Sequence, residues 1–245
     1  MHIGFLVPPG NPTVEVEMIA LAPPEVSVHF TRMVAHGAAG SHQGQEERNR
    51  SQIAHLSENV ALLAMVAPKV IVLAHTATSY TLGKKGEAEL VARMQRETSI
   101  PFITAFGSVL AALTHLGVKR VALGTPYDAD ATAKGKASLE AHGIEVVSVG
   151  RLENVKNIYE ETAERARGLA RRIDVPQAQA VFLSGVGMPT IALSSENRPV
   201  MKYGPVSLAP PRRPSCSHIR ARVIALTNRL GGRSSNPCRH NKEHS

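Results

Sequence analysis

The chain has 245 residues, 43% hydrophobic and 20% charged, enough for one α/β domain of ordinary size or two small ones around a real core. No apolar run approaches about 18 residues, so no membrane-spanning helix is expected, and two cysteines, Cys216 and Cys238, exclude a disulfide framework or a Cys/His zinc site. The formal net charge of +8 is confined to one end: residues 1–190 hold 18 Lys/Arg and 18 Asp/Glu, residues 191–245 hold 10 and 2. The neutral body has no basic stripe with interleaved aromatics, which argues against a nucleic-acid partner. The stretch "MHIGFLVPPG" has no basic leader and too short an apolar run for a signal peptide, so the expected compartment is the cytoplasm.

The body alternates strand-like and helix-like stretches. "HIGFLV" (2–7) is an apolar strand closed by Pro8-Pro9-Gly10, and Asn11-Pro12 then has the form of a helix start. "VSVHFTRM" (26–33) alternates as a strand does, and residues 46–67 carry apolar residues at helical spacing. "KVIVLA" (69–74) is a buried strand ending at His75 in a polar loop, followed by a helix over 84–98. "PFITA" (101–105) is a strand and 108–118 a helix with a glycine cap. Strands over 120–124, 145–150 and 180–185 alternate with helices over 128–143 and 158–173.

Strands spaced by helices of this length predict parallel sheets with helices on both faces. Ligands of such sheets bind outside the carboxyl ends of the strands. "GFLVPPGNPT" resembles "VALGTPYDADAT" (121–132), and "VIVLAHTATS" (70–79) resembles "AVFLSGVGMPT" (180–190). Within each half the paired motifs lie roughly 60–70 residues apart. This repeat predicts two α/β lobes, 1–117 and 118–190, facing one another across a cleft. A basic Pro/Arg-rich tail (191–245) follows, expected to lie partly against the first lobe.

Each strand end offers candidate chemistry, and each has a structural alternative. Asn11 is either a ligand for a carboxylate at a helix start or a helix cap. His75 is either an acid/base group, its ordinary pKa of about 6.5 suiting both roles, or a histidine hydrogen-bonded at a strand end. The Thr76, Thr78 and Ser79 hydroxyls form a candidate oxyanion cradle. Tyr127 either donates its hydroxyl to an oxyanion or fills the turn after its strand. "SGVGMPT" lacks the third glycine of a dinucleotide fingerprint, and no Walker A loop occurs. Gly185 and Gly187 instead allow close approach of backbone to a ligand.

Taken together, "GFLVPPGNPTVEVEM", "AHTATS", "GTPYDAD" and "SGVGMPT" resemble the aspartate/glutamate racemase superfamily over residues 2–192, and most closely its maleate cis–trans isomerase and arylmalonate decarboxylase branch. The resemblance implies two pseudo-symmetric Rossmann-like lobes, a small carboxylate bound between them, no metal and no organic cofactor; homodimers are common among such enzymes. It matches Asn11, Thr76, Tyr127 and the Val186 N–H to the substrate-binding groups, with Ala77 keeping only its backbone N–H where a serine is frequent. It also implies catalytic cysteines at the strand ends, and there the sequence departs: His75 and Gly185 occupy those two positions, and no cysteine lies in the body. The expected chemistry is therefore isomerisation, racemisation or decarboxylation next to a carboxylate, with His75 and Tyr127 as the catalytic pair. The alternative is a non-catalytic carboxylate-binding protein. In the tail, 198–204 resembles a remnant of the family's closing strand and 218–232 its last helix. The abrupt change to Arg, Pro and Ser after Ile191 also fits a shifted reading frame.

Overall fold

The computed structural model describes residues 1–36 and 40–191, with the backbone of two short strands at 200–201 and 225–226. The first sheet is built from β1 (His2–Val7), β2 (Ser27–Arg32), β3 (Ile71–Leu73) and β4 (Phe102–Thr104), all parallel, in the order β2-β1-β3-β4. The second contains β5 (Arg120–Thr125), β6 (Glu145–Arg151) and β7 (Ala180–Leu183) in parallel, extended by β8 (Val200–Met201) and an antiparallel β9 (Ala225–Leu226), in the order β6-β5-β7-β8-β9. The predicted α/β class with two parallel sheets is thus observed. Val200–Met201 falls within the predicted remnant strand. Ala225–Leu226 is strand where a helix over 218–232 was expected; the rest of that stretch lies outside the described residues.

Side-chain alternation on β1 divides the first core in two. Ile3, Phe5 and Val7 face Val14 and Met18 of α1 (Val14–Leu21). Leu6, with Ile71 and Leu73, faces Leu56, Val60 and Leu63 of α3 (Leu56–Ala64). The helix predicted over 46–67 is in fact two, α2 (Gln45–Ala54) and α3, because His55 leaves helical geometry at φ −97°, ψ 11°.

The polar loop expected after β3 is instead the first turn of α4 (Thr76–Thr98), so Thr76, Thr78 and Ser79 are helical. Gly83, at φ 65° and ψ 177°, breaks α4, a conformation that glycine adopts without steric cost. On one side of the break Ala77 and Tyr80 enter the second core; on the other Leu90 and Met94 pack on the first.

Helices α4 and α5 (Ala105–His115) of the first half thus enter the core of the second sheet. Val121, Leu123 and Phe182 of the second sheet pack against Ala77 and Tyr80 of α4, Phe106, Val109 and Leu113 of α5, and Leu139 of α6 (Ala129–Glu140). Its other face is covered by Ala166, Leu169 and Ile173 of α7 (Ala163–Ile173). The chain passes from α5 to β5 through a turn at Gly117, φ +67°. Burying α4 and α5 against the second sheet resists rigid-body opening of one half from the other, so the strand-end loops are the cheaper parts to move. Among the described residues no helix is long and apolar enough to cross a membrane.

Candidate active site

Four strand ends and one loop converge on a small cleft, partly open to solvent. It is lined by Pro8, Asn11, His75, Pro126, Tyr127, Ile158, Tyr159, Gly185, Val186 and Gly187. Of the residues expected at the site, Asn11, His75, Tyr127, Gly185 and Val186 are brought together. Thr76 and Ala77 are buried in the first turn of α4 beside His75 but do not line the cleft.

Asn11 acts as the cap that its sequence context allowed, and its amide nitrogen stays unused. Its Oδ1 accepts from the N–H groups of Thr13 (2.9 Å) and Val14 (3.1 Å), capping α1. That fixes the other end of the amide: Nδ2 is buried with no hydrogen-bond partner among the described residues, on a residue with no exposed surface. The loop carrying it is pinned from behind by Arg32, whose Nη1 donates to the carbonyls of Pro9 (2.8 Å) and Asn11 (3.0 Å).

His75 follows β3 in extended backbone, φ −148° and ψ 94°, and is only 7% exposed. Burial first, and the nearby Arg48 charge second, lower its pKa from 6.5 to about 4, so the ring is neutral at physiological pH. Nδ1 lies 2.8 Å from Thr78 Oγ1, and Nε2 has no hydrogen-bond partner among the described residues. The tautomer sets what Nε2 presents: a lone pair if Nδ1–H donates to Thr78, an N–H if the threonine hydroxyl donates.

Tyr127 is buried behind β5, its ring edge-on to Tyr80 at 6.5 Å. Burial, reinforced by the neighbouring tyrosines Tyr80 and Tyr159, pushes its pKa well above 10. Its hydroxyl is accordingly a hydrogen-bond donor to an anion and not a base. Tyr80 in turn bonds Ser184 at 2.7 Å, tying α4 to the end of β7.

The Gly185–Val186–Gly187 loop is held from the first half. Thr13 Oγ1 donates to the Gly187 carbonyl at 2.7 Å, and the buried Glu17 accepts from the N–H groups of Thr190 (2.7 Å) and Ile191 (3.1 Å). The Val186 side chain fills the first core while its N–H has no partner among the described residues. Because Glu17 satisfies two N–H groups in a buried place, Glu17→Ala is expected to destabilise the protein by about 2 kcal/mol. Urea unfolding of both proteins measures this; a loss below about 0.5 kcal/mol would show that the clamp contributes nothing.

Sequence reasoning missed Tyr159 and Ile158, because a helix was expected over 158–173. The helix starts at Ala163, capped by Thr162, whose Oγ1 accepts from the Arg165 N–H at 3.2 Å. The Thr162 cap signal was present in the sequence and would have left Tyr159 in the loop. Pro8 and Pro126 were read only as turn residues, and they form cleft walls. No cluster of three or more His, Cys, Asp or Glu side chains suited to a metal ion occurs among the described residues.

The family model for arylmalonate decarboxylase matches residues 3–209. The chain belongs to the arylmalonate decarboxylase family. Maleate isomerase of Nocardia farcinica is 30% identical over 203 residues, spanning 78% of this chain and 79% of that protein. A solved structure of the Nocardia farcinica maleate cis–trans isomerase, a cysteine-to-serine mutant with a covalently bound succinylcysteine intermediate, superposes with a TM-score of 0.74 at 28% identity. It covers 82% of this chain and 86% of that one. A crystal structure of arylmalonate decarboxylase, at 23% identity and a TM-score of 0.65, shares the fold over 78% of this chain and 80% of its own. Membership of this family supports an isomerase-like function.

Proposed function

We propose that the protein is a cofactor-independent enzyme acting on the carbon next to a carboxylate of a small dicarboxylic acid, with His75 taking the place of a thiol. The observation that carries this is Asn11 Nδ2, a buried amide donor without a partner among the described residues, on a residue that lines the same cleft as His75. A buried donor left unpaired costs about 1–3 kcal/mol, and a carboxylate oxygen supplies what it lacks. The Val186 N–H and the Tyr127 hydroxyl add two further donors, and the N-terminus of α4, with Thr76 and Ala77, contributes favourable dipole charge.

In this scheme, for a substrate with a saturated carbon next to its carboxylate, the neutral His75 Nε2 takes the proton from that carbon and the electron pair moves into the carboxylate as an enediolate. Asn11, Tyr127 and Val186 hold that charge. The proton then returns to carbon from the imidazolium. For cis–trans conversion of maleate, Nε2 instead adds to one alkene carbon and the electron pair moves into the far carboxylate as an enediolate. The C–C bond rotates, and Nε2 is expelled as the double bond re-forms. For loss of a carboxylate group, CO2 leaves, the same donors hold the enediolate, and the carbon takes a proton from the Nε2–H of the neutral His75 tautomer, which solvent then re-protonates. The relatives that are maleate isomerases and arylmalonate decarboxylases support this class of chemistry.

A second reading is supported by two features: Gly185 offers no side chain at the second strand end, and a histidine with a pKa of about 4 is a weak base. On that reading the protein binds a dicarboxylate without turning it over. Proton NMR in D₂O with maleate, aspartate, glutamate and substituted malonates separates the two, by following cis–trans conversion, α-proton exchange and loss of carboxylate. Turnover that falls at least about 100-fold in His75→Gln, with binding retained, establishes the enzyme. Saturable binding without turnover establishes the binding protein. No binding to any of them ends both readings.

A further inference from the structure

One lining residue has no part in that scheme. Tyr159 sits on the loop between β6 and α7, and its ring is seated between two glycines from different loops. A Cβ at Gly187 would lie 2.8 Å from Tyr159 Cδ1, and one at Gly40 would lie 3.1 Å from Cδ2. Gly187 does not have a positive φ, so the space for the ring is what glycine provides there. The Tyr159 N–H donates to Asn157 Oδ1 at 3.0 Å, and the Ile158 N–H to the Gly40 carbonyl at 2.9 Å, which fix the loop that presents the ring. The hydroxyl itself has no hydrogen-bond partner among the described residues, although the residue lines the cleft.

Two guanidinium groups, Arg48 and Arg32, are near enough to act electrostatically on Tyr159, neither of them in the cleft lining. Arg48 is held by the carbonyls of Ser41 and Gln43 and has no carboxylate partner among the described residues. Arg32, held by the Pro9 and Asn11 carbonyls, is paired with Glu15. Burial raises the Tyr159 pKa to about 12, and the charges of Arg48 and Arg32 oppose that rise. The phenol thus keeps its proton while facing positive potential, a combination that suits donation to an anion.

Resting on the reading of this cleft as a carboxylate site, we propose that Tyr159 contacts the ligand directly, that its hydroxyl binds the second carboxylate of a dicarboxylate, and that it thereby selects dicarboxylates over monocarboxylates. The positive field of Arg48 acts through this contact. The site then has donors for both ends of a dicarboxylate while its walls carry no cationic side chain.

Titration calorimetry of the whole chain and of Tyr159→Phe tests this, with maleate and its isostere isocrotonate, which carries a methyl group in place of one carboxylate. Loss of a hydrogen bond to a charged group predicts maleate binding weaker by about tenfold or more, with isocrotonate binding changed less than about twofold. Urea-unfolding midpoints that agree between the two proteins check that both hold the same packing. If wild type binds maleate and Tyr159→Phe leaves the maleate-to-isocrotonate ratio unchanged, the role of Tyr159 is overturned and the carboxylate site stands. If wild type binds neither acid, both fall.

Discussion

Acidifying the protein from pH 6.5 to pH 4 is expected to remove about 3 kcal/mol of stability through His75 alone. In the folded state burial and the Arg48 charge hold its pKa near 4, whereas the unfolded chain titrates near 6.5. Between these values the unfolded state binds the extra proton. The stabilisation is therefore complete above about pH 6.5 and is lost as the pH falls through 4. Nothing on the cleft side of the ring offsets this, because Nδ1 faces a neutral hydroxyl and Nε2 has no partner among the described residues.

Urea unfolding at pH 7 and at pH 4, on wild type and His75→Gln, reads the effect as a difference between the two proteins. Other groups titrate over the same range, but they cancel in that difference. The wild type should lose about 3 kcal/mol more than the variant. Equal losses would mean that His75 is charged or solvated in the folded state, and the proposed neutral base would go with it. The same property has a catalytic consequence: an anionic ligand bound beside His75 raises its pKa, so the ring becomes a better base once the cleft is occupied.

The fold was legible where local signals agreed. β1, β5 and β7 are apolar runs closed by proline or glycine, and their ends carry the residues that meet in the cleft. Asn11 was legible as a cap or as a ligand group; only the structure shows that the amide oxygen does the capping while the nitrogen has no partner among the described residues. The first turn of α4 was not legible as helix. Thr76, Thr78 and Ser79 are poor helix formers that favour caps and loops, and the helix gains its stability from burying Ala77 and Tyr80 against the second sheet, a contact between distant parts of the chain. The break at Gly83 has the same origin, since φ at a glycine follows from what the two flanking segments pack against. The environment of His75 depends on Arg48, which lies on α2 and is aimed by the Ser41 and Gln43 carbonyls. No spacing rule connects the two.

A cysteine at position 185 is expected to lower the melting temperature by about 4–8 °C, even though the resemblance places a thiol there. Gly185 has φ +122°, a region that costs a residue with a Cβ about 1–3 kcal/mol. The added Cβ would also lie 3.0 Å from Cγ and Cδ of Pro126 and 3.4 Å from Tyr127 Oη. A loss of about 2 kcal/mol in a chain of this size corresponds to that shift. Gly185→Ala carries the same backbone strain and the same Cβ contacts without sulfur, so its melting temperature should fall nearly as far as that of Gly185→Cys. Adding Pro126→Ala relieves the contact but not the strain, and should recover only part of the loss. Melting of Gly185→Ala within about 1 °C of wild type would show that the loop relaxes freely. In that case the missing thiol is a simple substitution, and His75→Cys with Gly185→Cys becomes a fair attempt to rebuild a two-thiol site. A full loss that Pro126→Ala relieves in part places the departure in the backbone itself: the loop after β7 is shaped for glycine, Pro126 and Tyr127 have closed in on the space, and the chemistry of this cleft has to come from His75.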